Sequence, residues 1–202
     1  VTCDKGFVGA VTVRYLVEKG IQVFGFDTMD GKDIRDVAQI ENFFVQYQIN
    51  RILHLAAIAR FSDADANPKL AFEVNVLGTR NLVLLAGKYH IPIVHASTGS
   101  VYMPITKEPP ITEDFPIRGN SVYGCSKTLA EIYVREGVAP WIILRYAHLY
   151  GKEKRGHGLI GGFLERIERG LSPILYGGKK SNDFTSVKDV AAANYLALTA
   201  SW

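Results

Sequence analysis

An α/β fold built on a doubly wound parallel sheet of Rossmann type is what this sequence predicts, and three features predict it. Short segments rich in β-branched residues alternate with stretches of helical period. The central segments ILHLAA and IPIVHAS are nearly continuous in apolar residues, as strands covered on both faces must be. A glycine-containing turn, TCDKGFVGA, joins the first residues to the first helical stretch.

Taken in order, Val1 and Thr2 precede the turn, a helix is expected over 11–18 and a strand over 21–26, which completes a βαβ unit. Further strands are expected at 51–56, 91–97 and 141–145, and helices at 36–46, 69–89, 123–136 and 187–201. Between Asp27 and the helix at 36 only TMDGKDIR intervenes, which is too short for a helix and a strand, so the usual third strand should be shortened or absent. A strand averages about five residues, yet only two stand before the turn, and the last helical stretch stops at Trp202 without a cap. The expectation is therefore a dinucleotide-binding domain over 1–150, the start of a substrate-binding lobe over 151–202, and most of that C-terminal lobe missing.

Composition narrows the class. The 202 residues are 48% hydrophobic and 21% charged, the balance of a soluble globular protein. No apolar run approaches the roughly 18 residues of a membrane span, and the first residues lack the charged and apolar parts of a signal peptide, so a cytoplasmic protein away from membranes is expected. Cys3 and Cys125 form no CxxC pair and read as free thiols. Lys and Arg are interspersed with Asp and Glu at a net charge of +3, which argues against nucleic acid as a partner. His54, His95 and His148 fall in no metal-ligand spacing, and no metal is expected.

In TCDKGFVGA, Gly6 and Gly9 stand where a backbone can approach a pyrophosphate at the N-terminus of a helix, whose free N–H groups and dipole favour an anion. The three-glycine form of this turn needs glycine at position 3, which holds Cys3, and a side chain there would crowd the phosphate; a glycine turn that binds nothing gives the same residues. Asp27 weighs on the other side. It follows VFGF roughly twenty residues beyond the turn, where a carboxylate accepts both ribose hydroxyls and repels a 2′-phosphate, which favours NAD over NADP. Asp33 and Ile34 either border the adenine or belong to a helix cap in DIRD.

Tyr123 and Lys127 are four residues apart in YGCSK and project from one face of a helix, so the ammonium can lower the phenol and make it an acid or base near neutral pH. Thr98 of STGSVY ends a predicted strand, at the edge of the sheet where ligands of such folds bind; the same residues also make a good turn.

The segments TCDKGFVG, HLAA, NVLGT, STGSVY, YGCSK, LRYAHLYG and NDFTSVKDVA, in that order and across essentially the whole chain, resemble successive motifs of the extended short-chain dehydrogenase/reductase family, in its NAD-dependent epimerase/dehydratase branch. The resemblance implies an NAD cradle from Gly6, Phe7, Val8 and Gly9, ribose contact by Asp27, adenine contact by Asp33 and Ile34, and pyrophosphate or ribose contacts from Leu55, Ala56 and Ala57. It implies a catalytic trio of Thr98, Tyr123 and Lys127, the last two also touching the cofactor, and a supporting role for Asn75. A homodimer through the helix of Tyr123 and its neighbour is implied as well, with Leu129, Ile132 and Val134 serving either that contact or the core.

Departures from the family sharpen the expected chemistry. Gly99 and Ser100 stand where dehydratases and decarboxylases carry acidic residues, which points to oxidation and reduction at one carbon of a nucleotide-sugar, as in an epimerase. Asn182 stands where such enzymes often place a nucleotide-binding arginine, and His148 where an asparagine is common. The short loop after Asp27 resembles sugar-nucleotide reductases, which keeps a reductase as the alternative; Cys3 and Asn182 keep a catalytically idle dinucleotide-binding protein as another.

Overall fold

A computed structural model describes residues 1–102, 110–152, 158–175, 177 and 182–202. In chain order its helices are α1 (Phe7–Glu18), α2 (Val37–Tyr47), α3 (Phe61–Ala66), α4 (Pro68–Phe72), α5 (Thr79–Tyr89), α6 (Val122–Glu136), α7 (Gly158–Glu168) and α8 (Val187–Leu198). The strands are β1 (Ile52–His54), β2 (Ile93–Thr98), β3 (Trp141–Tyr146), β4 (His148–Tyr150) and β5 (Phe184–Ser186).

The main sheet is parallel in the order β1-β2-β3, with His54 opposite His95 and Thr98 opposite Tyr146. Beyond β1 it continues through single parallel bridges, in which Thr2 pairs with His54 on one side and with Phe26 on the other. The Cys3 N–H donates to the Phe26 carbonyl at 3.0 Å and the Phe26 N–H to the Val1 carbonyl at 2.9 Å. The strand expected over 21–26 is thus reduced to a bridge at Phe26, because only the first residues of the chain run alongside it. A 3₁₀ turn, Thr28–Asp30, follows, and no strand lies between Asp27 and Asp36.

Both faces of the sheet are covered. Ile52 and Ile93 belong to a cluster with Ile40 and Phe44 of α2, Leu82 of α5 and Val134 of α6. The intervening Leu53 and Val94 turn to the other face and pack on Ala197 and Leu198 around the end of α8. Side chains alternate along a strand, so apolar residues on both faces read as a continuous apolar run. Each large side chain buried in this way contributes about 1.5–3 kcal/mol.

The helix expected over 69–89 begins at Pro68, where Asn67 accepts from the Leu70 N–H at 3.0 Å, but it passes through a π-helical segment, Glu73–Gly78, before α5. α3 and α7 had no counterpart in the sequence reading, nor had the small parallel pair of β4 and β5. β5 leads straight into α8, whose Val187 and Ala191 pack on Val11 of α1. Asn194 donates to Thr12 at 3.2 Å and accepts from the Tyr146 hydroxyl at 2.5 Å. Through these contacts α8 is part of the layer that covers the sheet.

Candidate active site

The site is assembled around the first turns of α6. Ser121 caps this helix by accepting from the Gly124 N–H at 3.0 Å. Gly124 has no alternative, since a β-carbon there would lie 2.6 Å from the Ser100 carbonyl oxygen. The helix start is thereby laid against the 3₁₀ turn Gly99–Val101, which Thr98 opens by accepting from the Ser100 N–H at 3.2 Å.

This packing brings together the expected trio. Burial pushes the Tyr123 phenol above its usual range, and the neighbouring Thr98 hydroxyl pulls it part of the way back. The ring of Phe61, on α3, meets the Tyr123 ring edge-on at 5.5 Å between centroids. One turn further, Lys127 is only 2% exposed. Burial pulls its ammonium from the usual 10.5 down to about 7, against the opposing charge of Glu131. Its Nζ lies 3.2 Å from Nε2 of His95 on β2.

Another turn along, Glu131 is fully buried and anchors a network. It accepts from Ser97 Oγ at 2.5 Å and from Arg145 Nε and Nη2 at 3.0 and 2.8 Å, and pairs with Arg135 at 3.5 Å. Burial opposes its ionisation, but Arg145, Ser97 and Arg135 outweigh it and hold the carboxyl below its usual range. Arg145 also donates to the Tyr102 hydroxyl at 3.0 Å and the Glu113 carbonyl at 2.9 Å. Thr98 is thus bracketed by Ser97 and Tyr102, both tied to one buried ion pair. Glu131, Arg145, His95 and Phe61 escaped the sequence reading. Only Glu131 left a signal, the repeat of four that runs Tyr123, Lys127, Glu131.

Asn75, in the π-helical segment, accepts from the Ile58 N–H at 2.7 Å and donates to the Ile58 carbonyl at 3.1 Å and to Ser126 Oγ at 2.9 Å. Ser126 in turn donates to the Tyr123 carbonyl at 2.8 Å. The amide is satisfied in the core and tied to the helix of Tyr123 at once.

At the dinucleotide end, α1 starts at Gly6 with no side-chain cap. Gly9 is buried, and a β-carbon there would fall on the Cys3 carbonyl oxygen. Phe7 and Val8 pack partly buried against Val11 and Val187. Cys3 adopts φ +54°, the left-handed region that favours glycine, and its Sγ fills the space beside Gly6, 2.7 Å from where a β-carbon would sit. Burial and then the charge of Asp27 raise the Cys3 thiol, which keeps it protonated. Asp27 is 6% exposed; its Oδ2 accepts from the Lys5 N–H at 3.1 Å and its Oδ1 from the Met29 N–H at 2.9 Å, which leaves each oxygen further lone-pair capacity. Leu55 and Ala56 each donate a backbone N–H to Thr2 Oγ1 at 3.0 Å, and Ala57 follows half-buried. Asp33 is held by Arg35 at 2.6 Å, which keeps its carboxyl below the usual range, and Ile34 is buried in the main core. A cleft of about 920 Å³ opens beside Asp33, Arg35, Gln39, Glu73 and Arg80, and another of about 550 Å³ runs along β3 by Tyr102, Arg145 and Asp183. His148 is exposed, with its ring 5.9 Å from that of Phe184, and Asn182 is exposed too. Among the described residues no group of three or more His, Cys, Asp or Glu side chains is placed to hold a metal ion.

The fold, with a glycine turn at one strand end and Thr98, Tyr123 and Lys127 near another, is that of an enzyme of the short-chain dehydrogenase type. The model of the NAD dependent epimerase/dehydratase family matches residues 1–201, and the chain belongs to that family of NAD-dependent enzymes. Among solved structures it is similar to the UDP-glucose 4-epimerase of Thermus thermophilus in complex with NAD, at 30% identity and a TM-score of 0.87 over 99% of this chain and 74% of that one. It is also similar to the UDP-glucose 4-epimerase of Thermotoga maritima with UDP-glucose, at 27% identity and a TM-score of 0.90 over 98% and 72% of the two chains. A protein of Methanocaldococcus jannaschii, provisionally named a UDP-glucose 4-epimerase, is 32% identical over 98% of this chain and 72% of its own length. No helix among the described residues is long and apolar enough to cross a membrane.

Proposed function

We propose that this chain binds NAD at the carboxyl ends of its parallel strands and serves the epimerisation of a nucleotide-sugar, by removal of a hydride from one sugar carbon and its return to the opposite face. The observation that carries this reading is that Tyr123 stands beside Thr98 at the end of β2 while, one turn along α6, Lys127 is buried against His95 of the same strand.

The residues present fit the cofactor. The uncapped start of α1 suits the pyrophosphate over Gly6, Phe7, Val8 and Gly9. The spare lone pairs of Asp27 suit the ribose hydroxyls, and Leu55, Ala56 and Ala57 line the next strand end. Asp33 and Ile34 take the adenine side in this reading. Bound NAD supplies the hydride acceptor and, in turn, the hydride donor. Tyr123, as phenolate, takes the proton of the sugar hydroxyl and returns it when the hydride comes back, while the Thr98 hydroxyl holds the same oxygen. In the chain alone burial holds the phenol above its usual range and Thr98 lowers it only part of the way; in this reading the Lys127 ammonium together with the positive charge of the oxidised nicotinamide brings it into range when NAD is bound. With Gly99 and Ser100 beside Thr98, no carboxyl stands there for elimination or decarboxylation.

The same reading includes a homodimer and a cytoplasmic setting. Leu84 on α5 and Leu129 and Ile132 on α6 are 56%, 42% and 48% exposed and suit a helix-pair interface, whereas Val134 belongs to the core. Sedimentation should show a dimer that Ile132→Glu turns into a monomer. In this reading residues 1–150 form the nucleotide domain and 151–202 begin the substrate lobe, with α8 packed back on the nucleotide domain.

The test is calorimetric titration of the 202-residue chain with NAD and with NADP. NAD should be preferred, Asp27→Ala should weaken it about tenfold or more, and Tyr123→Phe should bind it while losing hydride transfer. A folded sample that binds neither cofactor overturns the proposal. A reductase, the alternative raised by the short loop at Thr28–Asp30, would exchange its cofactor at each turnover instead of retaining it.

A further inference from the structure

Two buried histidines face each other across β1 and β2, with ring centroids 5.2 Å apart, and they are served very differently. His54 uses both ring nitrogens: Nδ1 lies 2.9 Å from Thr2 Oγ1 and Nε2 lies 2.9 Å from Thr79 Oγ1. His95 is equally buried, yet its Nδ1 meets no partner, while its Nε2 lies 3.2 Å from Lys127 Nζ. In either proton arrangement, ammonium donating to Nε2 or Nε2–H donating to a neutral amine, Nδ1 is left over. A histidine kept only to fill the core is expected to have both nitrogens satisfied, as His54 does. The contact with Lys127 is the feature that distinguishes His95.

We propose that His95 is a positioning residue for Lys127: its Nε2 accepts one N–H of the ammonium, holds the charge in place between sheet and helix, and leaves the other N–H groups for the cofactor. This rests on the reading of Lys127 as part of the cofactor and catalytic machinery. Glu131, one turn along α6, acts on Lys127 by charge at a distance, since its oxygens are taken by Ser97, Arg145 and Arg135. The charged and titratable groups that act on the pair are Glu131 on α6, itself paired with Arg145 of β3, and His54 on β1, which in turn feels the amino terminus. Burial, and then the charge of Lys127, hold both imidazoles well below their usual range, so they stay neutral near pH 7. Beside His95 the cation drawn towards neutrality is Lys127, which burial takes to about 7, whereas the amino terminus, taken by burial to about 6, acts on His54.

Removing the acceptor should destabilise the ammonium relative to the amine and lower the titration midpoint of Lys127. A fall of about one unit leaves the protonated fraction about twofold lower at pH 6 and nearly tenfold lower at pH 8. NAD affinity should follow the same pattern.

The experiment is an NMR titration of the 202-residue chain labelled with ¹³C-lysine, without NAD, with the Lys127 signal identified by its loss in Lys127→Met. His95→Leu should lower the midpoint by about one unit, and His95→Gln, whose carbonyl oxygen reaches near the place of Nε2, should restore it. Calorimetry with NAD at pH 6 and pH 8 should show a loss in His95→Leu that grows with pH. An unmoved midpoint in folded His95→Leu, or a loss of affinity equal at both pH values and not rescued by Gln, overturns the proposal. Should the Leu variant fail to fold, Gln against Asn decides, since Asn places its oxygen near Nδ1 and should not hold the midpoint. A shifted midpoint in a chain that binds no NAD sustains the His95 inference and overturns the proposed function instead.

Discussion

At the dinucleotide end, from Thr2 to Asp27, the shape is held mainly by backbone groups, with Cys3 bonded to Phe26, Gly6 to Cys3, and Lys5 and Met29 donating to one carboxylate. Under Thr98, Tyr123 and Lys127 the shape is held by side chains out of water, with Glu131 bonded to Arg145 and Ser97, His95 to Lys127, and Asn75 to Ser126. A cradle made of backbone accepts a change of side chain, which is why a cysteine can stand at a left-handed position without undoing the turn. A buried network of charges is less forgiving, because removal of one member strands the other.

That contrast can be broken by mutation. Glu131→Ala should cost the most, about 3–5 kcal/mol, because it leaves Arg145 charged and unpaired beside the sheet; denaturant unfolding reads it, and equal stability of the variant would refute the network's importance. Lys127→Met should come next and with the opposite sign. The folded-state pKa of Lys127 lies near 7 against 10.5 when unfolded, so between these values the unfolded chain binds the extra proton. Stability is therefore greatest at high pH and falls as pH drops through that window. The Met variant should be more stable than the parent at pH 7, by on the order of 2 kcal/mol, with a gap that closes towards pH 10. A pH-independent difference would mean that Lys127 is not the buried cation described.

The smallest effect belongs to the backbone side. Cys3→Gly relieves a φ of +54° and should stabilise the fold by about 1 kcal/mol, with NAD bound at least as tightly. Thermal unfolding and NAD titration check both, and a destabilised Gly variant would show that packing of Sγ against Gly6 outweighs the strain.

The same contrast explains what the sequence made legible. Tyr123 and Lys127 could be paired from sequence because four residues of helix fix their relation locally, and the uncapped glycine turn and Asp27 are also separated by a regular unit. The contact of His95 with Lys127 spans 32 residues and depends on how α6 lies on β2, which no period encodes. The segment 21–26 has the apolar content of a strand, but ladder pairing depends on what runs beside it, and here Val1 to Cys3 bond only its Phe24 and Phe26. The π-helical turn at Glu73–Gly78 differs too little from helical period to be read, although it carries Asn75. Leu129 and Val134 look alike in sequence, and only packing separates the exposed one from the buried one.

The pairing of α1 with α8 bears on how the protein comes off the ribosome. α1 carries the dinucleotide turn, yet the apolar side made by Phe7, Val11 and Tyr15 is covered by Val187 and Ala191. At usual elongation rates, synthesis of the intervening residues takes on the order of ten seconds. Through that interval the apolar side of α1 waits for its cover, so a segment made early is among the last to be buried.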